Sequence, residues 1–176
     1  MTAMKKAETI IAENKDVIAE KWVEAALKTY PAETAAFFLR EKNRFANPVA
    51  GILSESLKKI VDGLSGQASG GDLAESLDPA IRVRAVQAFT ASQAVSFIFQ
   101  LKQIIRDVAG KAAGDADAFR LIDQKIDELA LIGFDKYVEC REKVFKLQAY
   151  EVRNRTFKAF ERAGLIVGTE SDICVK

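Results

Sequence analysis

The sequence predicts an all-α fold, a multi-helix bundle around a central buried helix, and three observations predict it. Apolar residues recur three or four apart in nearly every segment, and none shows the alternation of a half-buried strand. Helix-start devices punctuate the chain: Asn47 before Pro48, Asp78 before Pro79, and Thr90 three residues ahead of Gln93. From Asp115 onward nothing stops a helix until Gly164, a C-cap residue.

The elements follow in order. The first helical region runs from about Ala3 to Thr29, with Ile10, Ile11, Val17, Ile18, Trp22, Ala25 and Ala26 on one side and a break or bend near Asn14. Pro31 suits the first turn of a short helix through Phe37, Phe38 and Leu39. EKNRFANP is a loop that ends in the Asn47–Pro48 start, and the next helix turns Ile52, Leu53, Leu57, Ile60, Val61 and Leu64 inward. GLSGQASGGD reads as a surface connection. Asp78 and Pro79 then start a helix that reaches Phe89.

Thr90 and Gln93 form a T-x-x-Q capping box for the helix that runs to about Ala109. Phe97 to Phe99 covers most of its circumference, so this helix over 91–109 is expected to be buried all round. After the turn GKAAGDAD comes the long helix, 115–163. At 1.5 Å per residue it would measure about 70 Å, against a diameter of roughly 40 Å for a globule of this chain length. It must kink, with Gly133 the natural place, or pair with a second chain. Ile126, Leu129, Gly133, Tyr137, Cys140 and Val144 keep the three-four spacing of a helix–helix seam, so a homodimer is expected along them. The organisation expected is one helical domain over 1–164 and a short tail, 165–176.

Composition narrows the function. The chain has 176 residues, 49% hydrophobic and 29% charged, as in an ordinary soluble globule. A formal net charge of +1 provides no global field toward nucleic acid, and no apolar run reaches the roughly 18 residues of a membrane span. The N-terminus turns polar and acidic too early for a signal peptide. Two cysteines make no disulfide framework, so a cytoplasmic location is expected. The most informative count is zero histidines. It excludes Ser-His-Asp and Cys-His catalysis, HExxH zinc sites and histidine-ligated haem. No enzyme activity, no metal and no cofactor is expected.

Arg82 and Arg84 lie two apart, so on a helix they point roughly 200° from each other and cannot clamp one anion together. One reading is an Asp78–Arg82 face pair with Arg84 and Gln87 bridging to the next cap. The other places a ligand or partner at Arg82, Arg84, Gln87, Gln93 and Phe97, beside the central helix. Trp22 is either a packing residue or a platform for that ligand. Cys140 falls on the apolar seam, and Cys174, in the tail, lacks a visible activating group. Asp115, Asp117, Asp123 and Asp127 are spaced like a solvated helix face rather than a calcium loop. Arg153, Arg155, Lys158 and Arg162 form a basic patch interrupted by Glu151 and Glu161, which argues against nucleic acid.

Three blocks, NRFANPVAGILSESL (43–57), IRVRAVQAFTASQAVSFIFQLKQIIR (81–106) and LIGFDKYVECREKVFKLQAYEVRNRTF (131–157), resemble the RsbRD N-terminal domain family. The resemblance implies an all-α sensory module of the kind found at the front of stressosome co-antagonists and some bacterial sensor kinases. Related stressosome sensors are similar to globins without haem. The family's output domain follows the long helix, whereas here LIVGTESDICVK follows it. The expectation is therefore a stand-alone regulatory or adaptor module that dimerises or docks on a protein partner. A small-molecule binder with its pocket beside 91–109 is the alternative, and a thiol protein using Cys140 or Cys174 the third.

Overall fold

The computed structural model describes residues 2–41, 43–67, 70–87, 89–110 and 115–165. They form seven helices and no strand: α1 (Ala3–Glu13), α2 (Lys15–Leu27), α3 (Ala32–Arg40), α4 (Pro48–Asp62), α5 (Gly70–Ala85), α6 (Ala91–Ala109) and α7 (Ala116–Arg162). A π-helical turn, Gly63–Gln67, extends α4. The chain comprises two compact units, Met1–Cys140 and Arg141–Lys176.

Local chemistry sets most boundaries. Asn14 separates α1 from α2, with its backbone in a non-helical conformation (φ −124°, ψ 13°). The Asn47 side chain accepts from Ala50 N at 3.2 Å and donates to Phe38 O and Glu41 O, so one buried amide starts α4 and holds the preceding loop. Thr90 and Gln93 form the complete capping box of α6. Asp115 Oδ1 accepts from Ala118 N at the start of α7, while Oδ2 pairs with Lys6 at 2.9 Å. At the far end Gly164 takes φ +68° and Leu165 N donates to Phe160 O, the 6→1 bond of a glycine C-cap.

In the first unit, the main core draws on α1, α2, α4, α5, α6 and α7, with Trp22, Leu57, Ile60, Leu77, Ile81, Phe97, Ile98 and Ile126 fully covered. A smaller cluster gathers Leu27, Tyr30, Ala35, Leu53 and Ala80 under α3. Arg106 ties α6 to α7 through Asp123, and Lys102 does so through Asp127 at 2.6 Å.

Four expectations are corrected. Pro79 starts no helix but lies inside α5, which begins at Gly70. An internal proline costs about 3 kcal/mol. Leu77 and Ile81 are fully buried on either side of it, and each contributes about 1.5–3 kcal/mol, so burial carries the helix through the defect. Asp78 is a paired surface carboxylate, bound to Arg82 and 3.8 Å from Lys136. Helix α5 also ends at Ala85, before Phe89.

The second concerns Gly63–Gln67, where Ser65 is buried rather than on a surface connection, while Leu64 faces inward as expected; residues 68 and 69 lie outside the described residues. Third, α6 is not buried all round, because Phe99 is exposed on the side away from Phe97 and Ile98. Fourth, α7 does not break at Gly133. A Cβ there would lie 2.9 Å from Ile98 Cδ1 and 3.3 Å from Leu77 Cδ2, so the glycine lets α7 approach α5 and α6. GKAAG falls mostly on residues 111–114, and the tail with Cys174 on 166–176, both outside the described residues.

Two predictions follow from this packing. Alanine at Gly133 gains about 1 kcal/mol of helix propensity and meets only rotatable side-chain tips, so Gly133→Ala should unfold in urea within about 1 kcal/mol of the parent. Gly133→Leu should lose about 3 kcal/mol, because its extra carbons have no room. The Lys6 hydrogen bond, and then that of Ala118 N, holds the Asp115 carboxyl below its ordinary pKa. A depressed folded pKa contributes stability above the unfolded value of about 4, lost as pH falls through the folded value. Acid titration of thermal stability should therefore show a shallower decline below about pH 4 in Asp115→Asn, which keeps the cap but not the charge.

Candidate functional site

The two arginines of α5 diverge as helix geometry requires. Arg82 is exposed and pairs with Asp78, while Arg84 is 0% exposed. Arg84 lies in the last turn of α5, and its guanidinium reaches two other helix ends. Nε donates to Ala94 O at 3.1 Å, and Nη2 donates to Gln93 O at 3.0 Å, both in the first turn of α6. Nη2 also donates to Thr29 Oγ1 at 2.8 Å, just beyond α2. Thr29 in turn donates to Ala26 O at 2.7 Å.

Three rings enclose the cation. The Arg84 Cζ lies 4.2 Å from the Phe89 ring centre, 4.9 Å from Phe97 and 5.2 Å from Tyr30. Tyr30 and Phe89 meet edge to face at 5.0 Å, and Trp22 stacks on Phe97 at 5.9 Å while its Nε1 donates to Phe97 O. Phe89 is held by α7, because Tyr137 Oη donates to Phe89 O at 2.6 Å. Trp22 is thus a core residue that backs the cage, not a surface platform.

Among the described residues, no carboxylate pairs with Arg84, whereas the other ion pairs are at least partly exposed. Burial draws the Arg84 pKa down and only the neighbouring Tyr30 opposes this, but a guanidinium still stays charged. Burial pushes the Tyr30 hydroxyl up, offset in part by the charge and the hydrogen-bonding proximity of the Arg84 guanidinium. Three buried polar atoms here have no partner at hydrogen-bond distance and angle: Arg84 Nη1, Tyr30 Oη and Gln87 Oε1.

Tyr30 and Gln87, though not Arg84 itself, line a cavity of about 450 Å³ together with Thr29, Pro31, Thr34, Phe38, Phe89 and Gln93. Four of the lining residues, Thr29, Tyr30, Phe89 and Gln93, also touch the Arg84 guanidinium. Gln93 serves mainly the cap, its Oε1 accepting from Thr90 N. A larger groove of about 760 Å³ between α2, α3 and α4 carries charges of both signs, with Glu20, Glu24, Arg44 and Lys58 on its walls. It contains none of the unpartnered buried atoms.

The sequence-predicted residues therefore divide. Arg84, Gln87, Gln93 and Phe97 come together, with Trp22 behind them, and Arg82 faces away. Thr29, Tyr30, Phe38 and Phe89 were missed, and for Thr29 no local pattern links it to Arg84, 55 residues away. The expected seam divides too: Ile126, Leu129, Gly133 and Tyr137 are buried in the chain's own core, and Cys140 packs against it half-buried. Val144 belongs to the second unit and is half-buried. The exposed large apolar residues of α7 are others: Leu131, Phe134 and Val138 in the first unit, and Phe145, Leu147, Tyr150, Val152 and Phe160 in the second. Among the described residues, no cluster could hold a metal ion, and no helix is long and apolar enough to cross a membrane.

A helical module with a buried cationic cage and no catalytic constellation among its described residues fits the signalling sensor class. The chain matches the RsbT co-antagonist protein rsbRD N-terminal domain over residues 16–152, and it belongs to that family. It is similar to an uncharacterized protein of Archaeoglobus fulgidus, 27% identical over 137 residues that span 76% of this chain and 82% of that one. No solved structure matches it.

The acceptors of Arg84 do not depend on it. Ala94 O and Gln93 O already serve the α6 ladder, and the half-buried Thr29 hydroxyl keeps its own donation to Ala26 O. Arg84→Met keeps the stem and removes a buried charge without orphaning an acceptor, so it should change urea stability by no more than about 1–2 kcal/mol in either direction. Arg84→Ala, which leaves a void among three rings, should cost about 2–5 kcal/mol.

Proposed function

We propose that the chain is a non-catalytic regulatory module of a signalling system that acts through protein–protein contacts as a homodimer. Its family supplies the class, signalling sensor-type domains. The observation that carries the finer reading is the exposed apolar surface of α7. Leu131, Phe134 and Val138 keep three-four spacing on the solvent side, at 68%, 45% and 38% exposure, while Ile126, Leu129 and Tyr137 on the same helix are buried. That spacing suits a helix–helix seam, and an identical helix is self-complementary to it under a two-fold axis. Exposed apolar rows of this kind mark contact surfaces rather than folding requirements.

The absence of histidine removes the commonest general base and metal ligand, and Cys140 is a half-buried residue packed on the core. Both support a regulatory rather than a chemical role. Light scattering on the full chain should give the mass of two chains, and Phe134→Glu with Val138→Glu should give that of one with unchanged far-ultraviolet dichroism. A parent protein that stays at one-chain mass as its concentration rises overturns the homodimer.

A further inference from the structure

The Arg84 cage is built as half of an ion pair. Its guanidinium is wholly buried, makes three hydrogen bonds to neutral oxygens, and keeps Nη1 unpartnered. Tyr30 Oη and Gln87 Oε1 are also unpartnered, and these two residues line a cavity of about 450 Å³. Arg84 reaches that cavity only through lining residues that touch its guanidinium, Thr29, Tyr30, Phe89 and Gln93. Buried charges in proteins are paired, and buried polar atoms are bonded, so three orphans around one cation call for a further group. Two of the orphans, Arg84 Nη1 and Tyr30 Oη, are donors able to serve an anion, and Gln87 becomes a third when its amide is turned over. The positive pole of α6, whose first-turn carbonyls Arg84 engages, adds to the demand for negative charge. The remaining walls are apolar: Pro31, Phe38 and Phe89.

We propose that this cavity binds a small organic carboxylate, with the carboxylate on Arg84 Nη1 and Tyr30 Oη and the apolar body against Phe38, Phe89 and Pro31. The carboxylate, rather than inorganic phosphate, suits one guanidinium edge and a mainly aromatic wall. The three donor and acceptor atoms are sealed from solvent, so entry turns the Gln87 side chain, which lines the cavity in the last turn before α6. None of the lining residues belongs to α7, so the site can be tested separately from the seam proposed on that helix.

Benzoate is the probe and benzamide, its neutral isostere, the control, both read as thermal unfolding of the full chain at matched ionic strength. Benzoate should raise the Tm by about 5 °C near saturation, and benzamide should not. Gln87→Glu places a carboxylate beside Arg84, so it should raise the Tm without ligand and abolish the benzoate response. Thr34→Tyr fills the cavity from α3 and should abolish the response while the fold is kept. No benzoate shift, equal shifts with both compounds, or an undiminished response in either variant overturns the site. Loss of light-scattering dimers with an intact benzoate response would fail the protein-contact reading and leave this one standing.

Discussion

One buried cation organises the polar chemistry of the first unit. Arg84 joins the C-terminal turn of α5, the start of α6 and the residue beyond α2 through three hydrogen bonds. Desolvating such a charge costs several kcal/mol. Charge-assisted bonds return about 1.5–3 kcal/mol each, and a desolvated ring about 2. The offset is made without a carboxylate. Compensation is dipolar: Arg84 sits in the last turn of α5 and reaches the end of α2, where helix dipoles favour a cation. It also sits against the start of α6, where the dipole opposes one. A charge held without a carboxylate directs attention to what its remaining edge can do.

The parts of the fold legible in the sequence are those decided within a few residues. Asn47 with Pro48, Thr90 with Gln93, Asn14 and Gly164 each satisfy backbone groups a turn away, and the structure uses all four. Pro79 misled because the same residue that opens a helix can be carried inside one when tertiary burial outweighs its cost. Ser65 misled because glycine-rich composition does not record that a π-helical turn extends α4 inward.

The long helix shows a different limit. Its three-four pattern supports more than one stripe, because α7 carries apolar residues on two sides. Ile126, Leu129, Gly133 and Tyr137 look no different in sequence from Leu131, Phe134 and Val138. Only the presence of α5 and α6 decides which row is used up, and Gly133 marks the choice, since its missing side chain admits Ile98 and Leu77. The candidate site was half legible for the same reason. Helix geometry separates Arg82 from Arg84, and the structure sends one to solvent and one to the core. The partners Thr29 and Tyr30 come from a distant helix end that no local rule connects to α5.

A sensing role needs a ligand to favour one arrangement over another by differential contact, since tight binding alone shifts nothing. The cage offers a place where that difference can arise. Phe89 is both the ring nearest Arg84 and the residue whose carbonyl accepts from Tyr137 of α7. Any group that draws Arg84 away from Phe89, or moves Phe89 on the cavity wall, therefore strains or releases a hydrogen bond of α7. Gly133 lies one helical turn before Tyr137 and packs against the side chains of Ile98 and Leu77, so the same stretch of α7 is fixed on two sides. A close-packed contact of this kind yields by stepping between discrete packings rather than by gradual bending. With the proposed carboxylate in the cavity, the route to α7 is local and short, from a cation without a counter-ion, through one aromatic ring, to one tyrosine hydroxyl.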